Sequence, residues 1–388
     1  MILRRSQLVS MKRGFLKNGL GLIEIRKFAD VASVIEKGDS DELRRIFKTG
    51  QFYDINEPKP LDHNGPTLLI VACKSGFVDC VKVLLEYEAY LNSHHSSNRS
   101  TLSYACDSGS VEMVRFIITS GFRICDEAIM DIFKSANLSV QNTEIISLLI
   151  TYIKNIDYIA HSDVSFLYQA ASSGTIDIVQ SLLKRGATLR QSCLIVASNN
   201  GHLEVVKLLI AWGTAHKLLS LENYVNLLIQ ASSYGSINTV RYMLETWILG
   251  ASAITAALSA AVKAHRAQVA EYLIDKGVQY KIPTMKDAGL LTFACRELNI
   301  DMVRLLVARG ADPNSVDSTG NLPLYIVLYH PNIVEILLEA GADPNVYCNS
   351  GSAPLFDTIS CRLLMYTCYS YVTERTRTSL MPRQATPH

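Results

Sequence analysis

The chain repeats itself at an interval close to 33 residues, and that period limits its fold more than any other feature. Gly-Ala-Asp-Pro-Asn is written twice, at Gly310–Asn314 and Gly341–Asn345, each time followed by a Gly and then Pro-Leu. A single globular core has no reason to recur at a fixed interval, whereas a stack of small units does. The apolar residues that open each Leu-rich run, as in "EVVKLLI" or "DMVRLLV", extend the count. They fall at Leu43, Val81, Val114, Ile146, Val179, Val206, Val240, Ala270, Val303 and Val334, with spacings of 38, 33, 32, 33, 27, 34, 30, 33 and 31.

Punctuation around these anchors gives the secondary structure. Seven positions after an anchor a Gly is common: Gly50, Gly121, Gly186, Gly213, Gly277, Gly310 and Gly341. Such a residue is expected to stop a helix, because the left-handed conformation is free of Cβ strain only for Gly. Five positions before the anchor stands another set, Gly38, Gly76, Gly109, Gly174, Gly201 and Gly235, which ends a shorter first helix. That first helix starts near "PTLLIVAC", "STLSYAC", "FLYQAAS" or "LPLYIVL", where Thr, Ser and Pro are normal start signals. The predicted unit is helix, tight turn, helix, then a polar link. One such hairpin cannot cover its own apolar side, so it must stack on its neighbours. Ala72, Ala105, Ala170, Ala197, Ala231, Ala261 and Ala294 are small enough to let adjacent first helices approach. Cys73, Cys106 and Cys295 follow three of them and read as small packing residues, not reactive thiols.

The period, the Gly positions and the Leu runs together resemble the ankyrin repeat family. The resemblance is fullest at "SGFVDCVKVLLEYEA", "NGHLEVVKLLIAWGTA", "LNIDMVRLLVARGADPN" and "NIVEILLEAGADPN", and spans about Phe28 to Ile359. It implies an all-α solenoid of about ten helix-turn-helix units, some degenerate, joined by hairpin fingers. The expected organisation is a disordered basic arm over 1–27, the array over 28–359 and an irregular tail or truncated repeat over 360–388. Within the array an N-terminal cap is expected at about 28–60 and a degenerate unit at about 124–160. That unit lacks both diagnostic glycines; the Val179–Val206 link is short, and Trp247 stands where a Gly stop belongs.

Composition narrows the function. Lys and Arg number 37 against 36 Asp and Glu, so no net field favours nucleic acid or an acidic membrane. The longest uncharged run, Thr246–Val262, is too short and too rich in Ala, Ser and Thr for a membrane span. Nine cysteines without a C-x-x-C pair suggest reduced thiols and a cytoplasmic, alternatively nuclear, setting. Asn98 and Asn137 open Asn-x-Ser triplets that matter only in a secreted chain. The first 23 residues hold five Lys/Arg and no acid, which has mitochondrial presequence composition as a minority reading beside the disordered arm. There is no phosphate-binding loop, no H-E-x-x-H and no nucleophile elbow, and the Gly19 run "GLGLIEI" is a poor glycine loop. His94–His95 reads as a solvated turn, and His202 as a structural turn residue. Catalysis, cofactors and metals are not expected.

What remains is surface. The resemblance implies partner proteins bound on the concave face made by first helices and fingers. The slot just before each small Ala faces that groove, and it holds Val71, Tyr104, Gln169, Val196, Gln230, Ala260, Phe293 and Ile326, with Tyr234 and Arg296 near helix ends. Tyr and Arg are common interface anchors; the bland alternative is that the rings fold back on neighbouring units. The expected binding residues are therefore Tyr104, Gln169, Gln230, Tyr234, Phe293 and Arg296, in a monomeric scaffold. Rival readings are a ubiquitin-ligase adaptor, the recognition arm of a larger kinase or channel polypeptide, or a plain spacer. Because such stacks are sums of unit and interface terms, the short 27-residue junction and Trp247 predict seams. Thermal unfolding should show more than one step; coincident single transitions by circular dichroism and Trp fluorescence would refute this.

Overall fold

The computed structural model describes residues 20–49, 55–56, 66–92, 99–135, 143–160, 164–247, 249–279 and 288–345. Asn98 and the Asn137 triplet, the His94–His95 pair, Gly50 and the expected tail lie outside them. The chain divides into two compact units, Met1–Cys193 and Leu194–His388. That division falls just past the shortened Val179–Val206 link's polar stretch.

Helices come in consecutive pairs. In the first unit α1 (Leu20–Glu36) precedes α2 (Ser40–Lys48), α3 (Leu68–Ser75) precedes α4 (Val78–Glu86), and α5 (Thr101–Asp107) precedes α6 (Val111–Thr119). Then come α7 (Asp126–Ser135) and α8 (Thr143–Tyr152), a two-residue antiparallel pair β1 (Ile159–Ala160) and β2 (Val164–Ser165), and α9 (Phe166–Ser173) with α10 (Ile176–Lys184). The degenerate stretch thus still forms two helices. α11 (Gln191–Asn199) carries the division between units. The second unit continues with α12 (Leu203–Ala215), α13 (Leu221–Tyr234), α14 (Ile237–Thr246), α15 (Ala251–Lys263) and α16 (Ala267–Gln279). It ends with α17 (Ala288–Arg296), α18 (Ile300–Ala308), α19 (Pro323–Ile326) and α20 (Pro331–Glu339). The expected array boundary at 27/28 falls inside α1.

First helices stack on first helices and second on second. In the first unit α1, α3, α5, α7 and α9 touch in that order, as do α2, α4, α6, α8 and α10. In the second unit α13, α15, α17 and α19 do the same beside α12, α14, α16, α18 and α20. All ten anchors lie in second helices, and none is more than 1% exposed. Burying a side chain of this size contributes about 1.5–3 kcal/mol, and here each is shared with the neighbouring pair. The seven small Ala residues are equally enclosed. The fold is all-α; the single β pair is the extended element among the described residues.

Polar side chains tie each link to the next at the same period. Asn56 Oδ1 accepts from the Tyr90 N–H (2.6 Å), Asn92 Oδ1 from Arg123 N–H (2.9 Å), and Asp157 Oδ1 from Thr188 N–H (2.8 Å). Asp126 takes two N–H groups, of Lys154 and Asn155. The repeated Gly-Ala-Asp-Pro-Asn shows the same device. Asn314 Oδ1 accepts from Asp343 N–H (2.7 Å) while its Nδ2 donates to the Gly341 carbonyl (3.0 Å). The last residue of one copy latches onto the first and third of the next.

Helix ends correct the sequence reading in two places. Gly38, Gly76, Gly109, Gly174, Gly201 and Gly235 all have positive φ, as do Gly121, Gly186, Gly310 and Gly341. Gly213 and Gly277, however, sit inside α12 and α16. A lone Gly weakens a helix by about 1 kcal/mol but does not end it. The closing bond, from an N–H to the carbonyl five residues back, decides. In α10 it runs from Ala187 N–H to Leu182, across Gly186; in α12 it runs from Leu218 N–H to Gly213, across Lys217 at φ 55°. Glu88, His265 and Leu298 also take the left-handed conformation at such stops. Trp247 ends α14 in extended conformation, stacked on Tyr224 (5.0 Å) and edge-on to Tyr242 (5.5 Å). With two rings holding Trp247, the seam expectation rests on the short junction.

Leu298 is branched, exposed and held at φ 54°. A left-handed non-Gly residue costs about 1–2 kcal/mol, partly offset by the freer unfolded chain that Gly brings. Leu298→Gly should therefore raise stability by roughly 0.5 kcal/mol, read as a higher urea midpoint; a lower midpoint would contradict the strain.

Candidate functional site

The small Ala of each first helix is buried between neighbours, and a helix turns about 100° per residue, so the residue before it emerges at the edge of the stack. The structure shows this for all eight slots: Val71, Tyr104, Gln169, Val196, Gln230, Ala260, Phe293 and Ile326 are each half-buried. None is fully exposed, so Tyr104 and Phe293 present one side only. In the first unit, Tyr104 on α5 and Gln169 on α9 are separated by α7. In the second, Gln230 on α13 and Phe293 on α17 flank the short Ala260 of α15.

Tyr104 is already engaged within its own repeat. The Arg99 guanidinium lies 4.7 Å from the ring centroid and donates to Ser103 Oγ (2.8 Å) and Asp107 Oδ2 (2.7 Å). Arg99 thus holds the ring from within its own repeat. A cation stacked this way contributes about 0.5–1 kcal/mol at an exposed site. Gln169 and Gln230 keep their side-chain amides free of hydrogen bonds among the described residues. Tyr234 is 53% exposed at the end of α13 and lines a recess of about 280 Å³ at the α13–α14 turn. Arg296 is not free: it donates to Asp317 Oδ2 at 3.1 Å.

Asp317 organises the finger before α19. Its Oδ1 accepts from the N–H groups of Thr319 and Asn321 (2.9 Å each) and from the Thr319 hydroxyl (2.6 Å). Burial works against its ionised form, but the Thr319 and Asn321 hydrogen bonds and the Arg296 charge together hold its carboxyl below the usual 3.8. No local signal marks this partnership, because Arg296 and Asp317 are 21 residues apart. The same holds for Arg99, whose ring contact depends on the turn into α5.

Chemistry elsewhere is quiet. Cys73, Cys106 and Cys295 are enclosed, and burial pushes each thiol up to about 12, the behaviour of packing residues. His202 stands at the N-cap position of α12 and makes no side-chain cap there. Among the described residues no three His, Cys, Asp or Glu gather as a metal site, and no helix is long and apolar enough to cross a membrane.

A family model described as ankyrin repeats (three copies) matches residues 32–128, 194–284 and 283–348, together more than half of the chain. Among curated proteins, the ankyrin repeat and KH domain-containing protein mask-1 of Caenorhabditis elegans is 26% identical over 300 residues, covering 74% of this chain and 10% of the relative. The ankyrin repeat protein nuc-2 of Neurospora crassa is 30% identical over 161 residues, covering 38% of this chain and 15% of the relative. The chain spans a small fraction of both relatives' length.

Because the depressed Asp317 carboxyl favours the folded state only when ionised, its contribution is complete above its unfolded value and fades as pH falls through its folded one. Asp317→Asn should thus cost roughly 1 kcal/mol at pH 7, with the difference from wild type shrinking below pH 3.8. Urea midpoints measured in parallel from pH 7 to pH 2.5 (about the range the linkage needs) check this; a constant gap would refute it.

Proposed function

The chain belongs to the ankyrin repeat family, and on that premise we propose that it is a scaffold that captures a partner protein, without catalysis, on the first-helix face and finger tips of its stack. The observation that carries this reading is the row of half-buried slots. It offers two unpaired amides, one clamped phenol and one phenyl ring at corresponding positions. Such a surface combines rigid aromatic anchors with hydrogen-bonding capacity at low entropic cost. Tyr104 and Gln169 serve the first unit; Gln230, Tyr234, Phe293 and Arg296 serve the second. Arg296 contributes by holding the finger through Asp317 more than by reaching a partner itself. The buried, unreactive thiols support a reducing compartment, the cytoplasm or nucleus.

A second reading draws on one observation. Both relatives extend far beyond the matched region, which supports a recognition arm within a larger polypeptide. The first-helix face does the same work in either case.

The test replaces Tyr104 and Gln169, or Gln230 and Phe293, by Ala. Each truncation at an interface anchor costs about 1–2 kcal/mol of binding, so either double variant should weaken capture of a co-purifying partner at least tenfold. The helical circular dichroism signal should stay unchanged. Undiminished capture by both double variants would sink the assignment of this face.

A further inference from the structure

The recess beside Tyr234 has a chemistry that the scaffold reading does not use. It lies wholly in the second unit and is lined by Asn199, Gly201, Tyr234, Ser236, Asn238 and Thr239 among others. α14 begins there, and its N-cap residue Ser236 makes no side-chain cap; its hydroxyl donates to the Ser198 carbonyl at 2.6 Å. The Asn238 and Thr239 N–H groups are therefore left without partners at the positive end of a ten-residue helix.

Thr239 supplies the second, independent sign. The position before the anchor is apolar in the other repeats that have it buried: Cys80, Met113, Ile145, Ile178, Val205, Val269, Met302 and Ile333. Only here does the chain put a hydroxyl, at 1% exposure, and it lines the recess with no hydrogen bond among the described residues. Nearby, Asn199 Oδ1 is enclosed and unpaired, which costs free energy. One cation flanks the opening: the Arg266 side chain lies against Gly235 and spends only its Nε, on the Ser233 carbonyl at 3.0 Å. No acid lines the recess.

We propose that this recess binds an aspartate-type residue in an acidic loop of a partner protein. Its carboxylate sits on the Asn238 and Thr239 N–H groups and the Thr239 hydroxyl, with Arg266 beside it. Its own main-chain N–H donates to Asn199 Oδ1. The pairing engages an acceptor of the recess as well as its donors, which a bare anion does not. The site rests on the reading of the stack as a protein-binding surface and adds the charge of what it binds.

The experiment titrates the full chain, amide-labelled for NMR, with N-acetyl-aspartate N-methylamide as probe and its asparagine analogue as control. The Asn238 and Thr239 amides and the Asn199 side chain should shift saturably with the aspartate compound and not with the control. Thr239→Val and the exposed Arg266→Gln should each weaken binding about tenfold, the scale of one charge-assisted contact. If Thr239→Val does not fold, Arg266→Gln alone decides. No saturable shift, equal shifts with the control, or tighter binding of inorganic phosphate than of the aspartate compound would overturn the proposal. The titration needs no partner. Its failure therefore leaves the first-helix face standing, and failure of the capture test leaves the titration standing.

Discussion

Each helical hairpin in this chain has more apolar surface than it can cover alone, and everything else in the structure follows from covering it with the next hairpin. The ten anchors from Leu43 to Val334 are sealed to 1% exposure or less. They are sealed by neighbours in the stack, since within each unit second helices touch second helices in chain order. Stability is then a sum of nearest-neighbour terms. Such a sum tolerates irregular links. Anchor spacings range from 27 to 38 without loss of a buried anchor, because the loops absorb the difference.

A thinner polar layer fixes the register that burial leaves soft. Asn56, Asn92, Asp126, Asp157 and Asn314 each accept main-chain N–H groups about one repeat ahead. On the second helices, cations at the position after the anchor lie over rings of the next repeat. Lys82 sits 5.9 Å from the Phe116 centroid, Lys207 5.6 Å from Tyr242, and Arg241 5.5 Å from Tyr272. These contacts are individually worth little, but they recur and point along the stack. They also occupy the second-helix side, whereas the Gln169 and Gln230 amides on the first-helix edge stay unpaired among the described residues.

Function in such a fold is placed where the repeat rule is broken locally without breaking the stack. Thr239 replaces an apolar packing residue with a hydroxyl, and Ser236 gives its capping capacity to the preceding repeat. Arg99 and Asp107 hold Tyr104 in one orientation. Each departure gives the repeat a directed polar group.

The sequence by itself determined the period, the anchors, the small Ala and Cys slots, and the first-helix stops, because all of these are set by residue type at fixed local spacing. It placed Tyr104, Gln169, Gln230 and Phe293 on one face of their helices for the same reason. It misjudged Gly213 and Gly277, since a helix ends where its closing hydrogen bond forms and not where a Gly stands. Only the tertiary structure decided that Arg296 belongs to Asp317, that Arg99 clamps Tyr104, and that Thr239, Asn199 and Arg266 meet at one recess. Those partners lie 5 to 67 residues apart in sequence, and for all but the Arg99–Tyr104 pair it is stacking register, which no local spacing encodes, that brings them within reach.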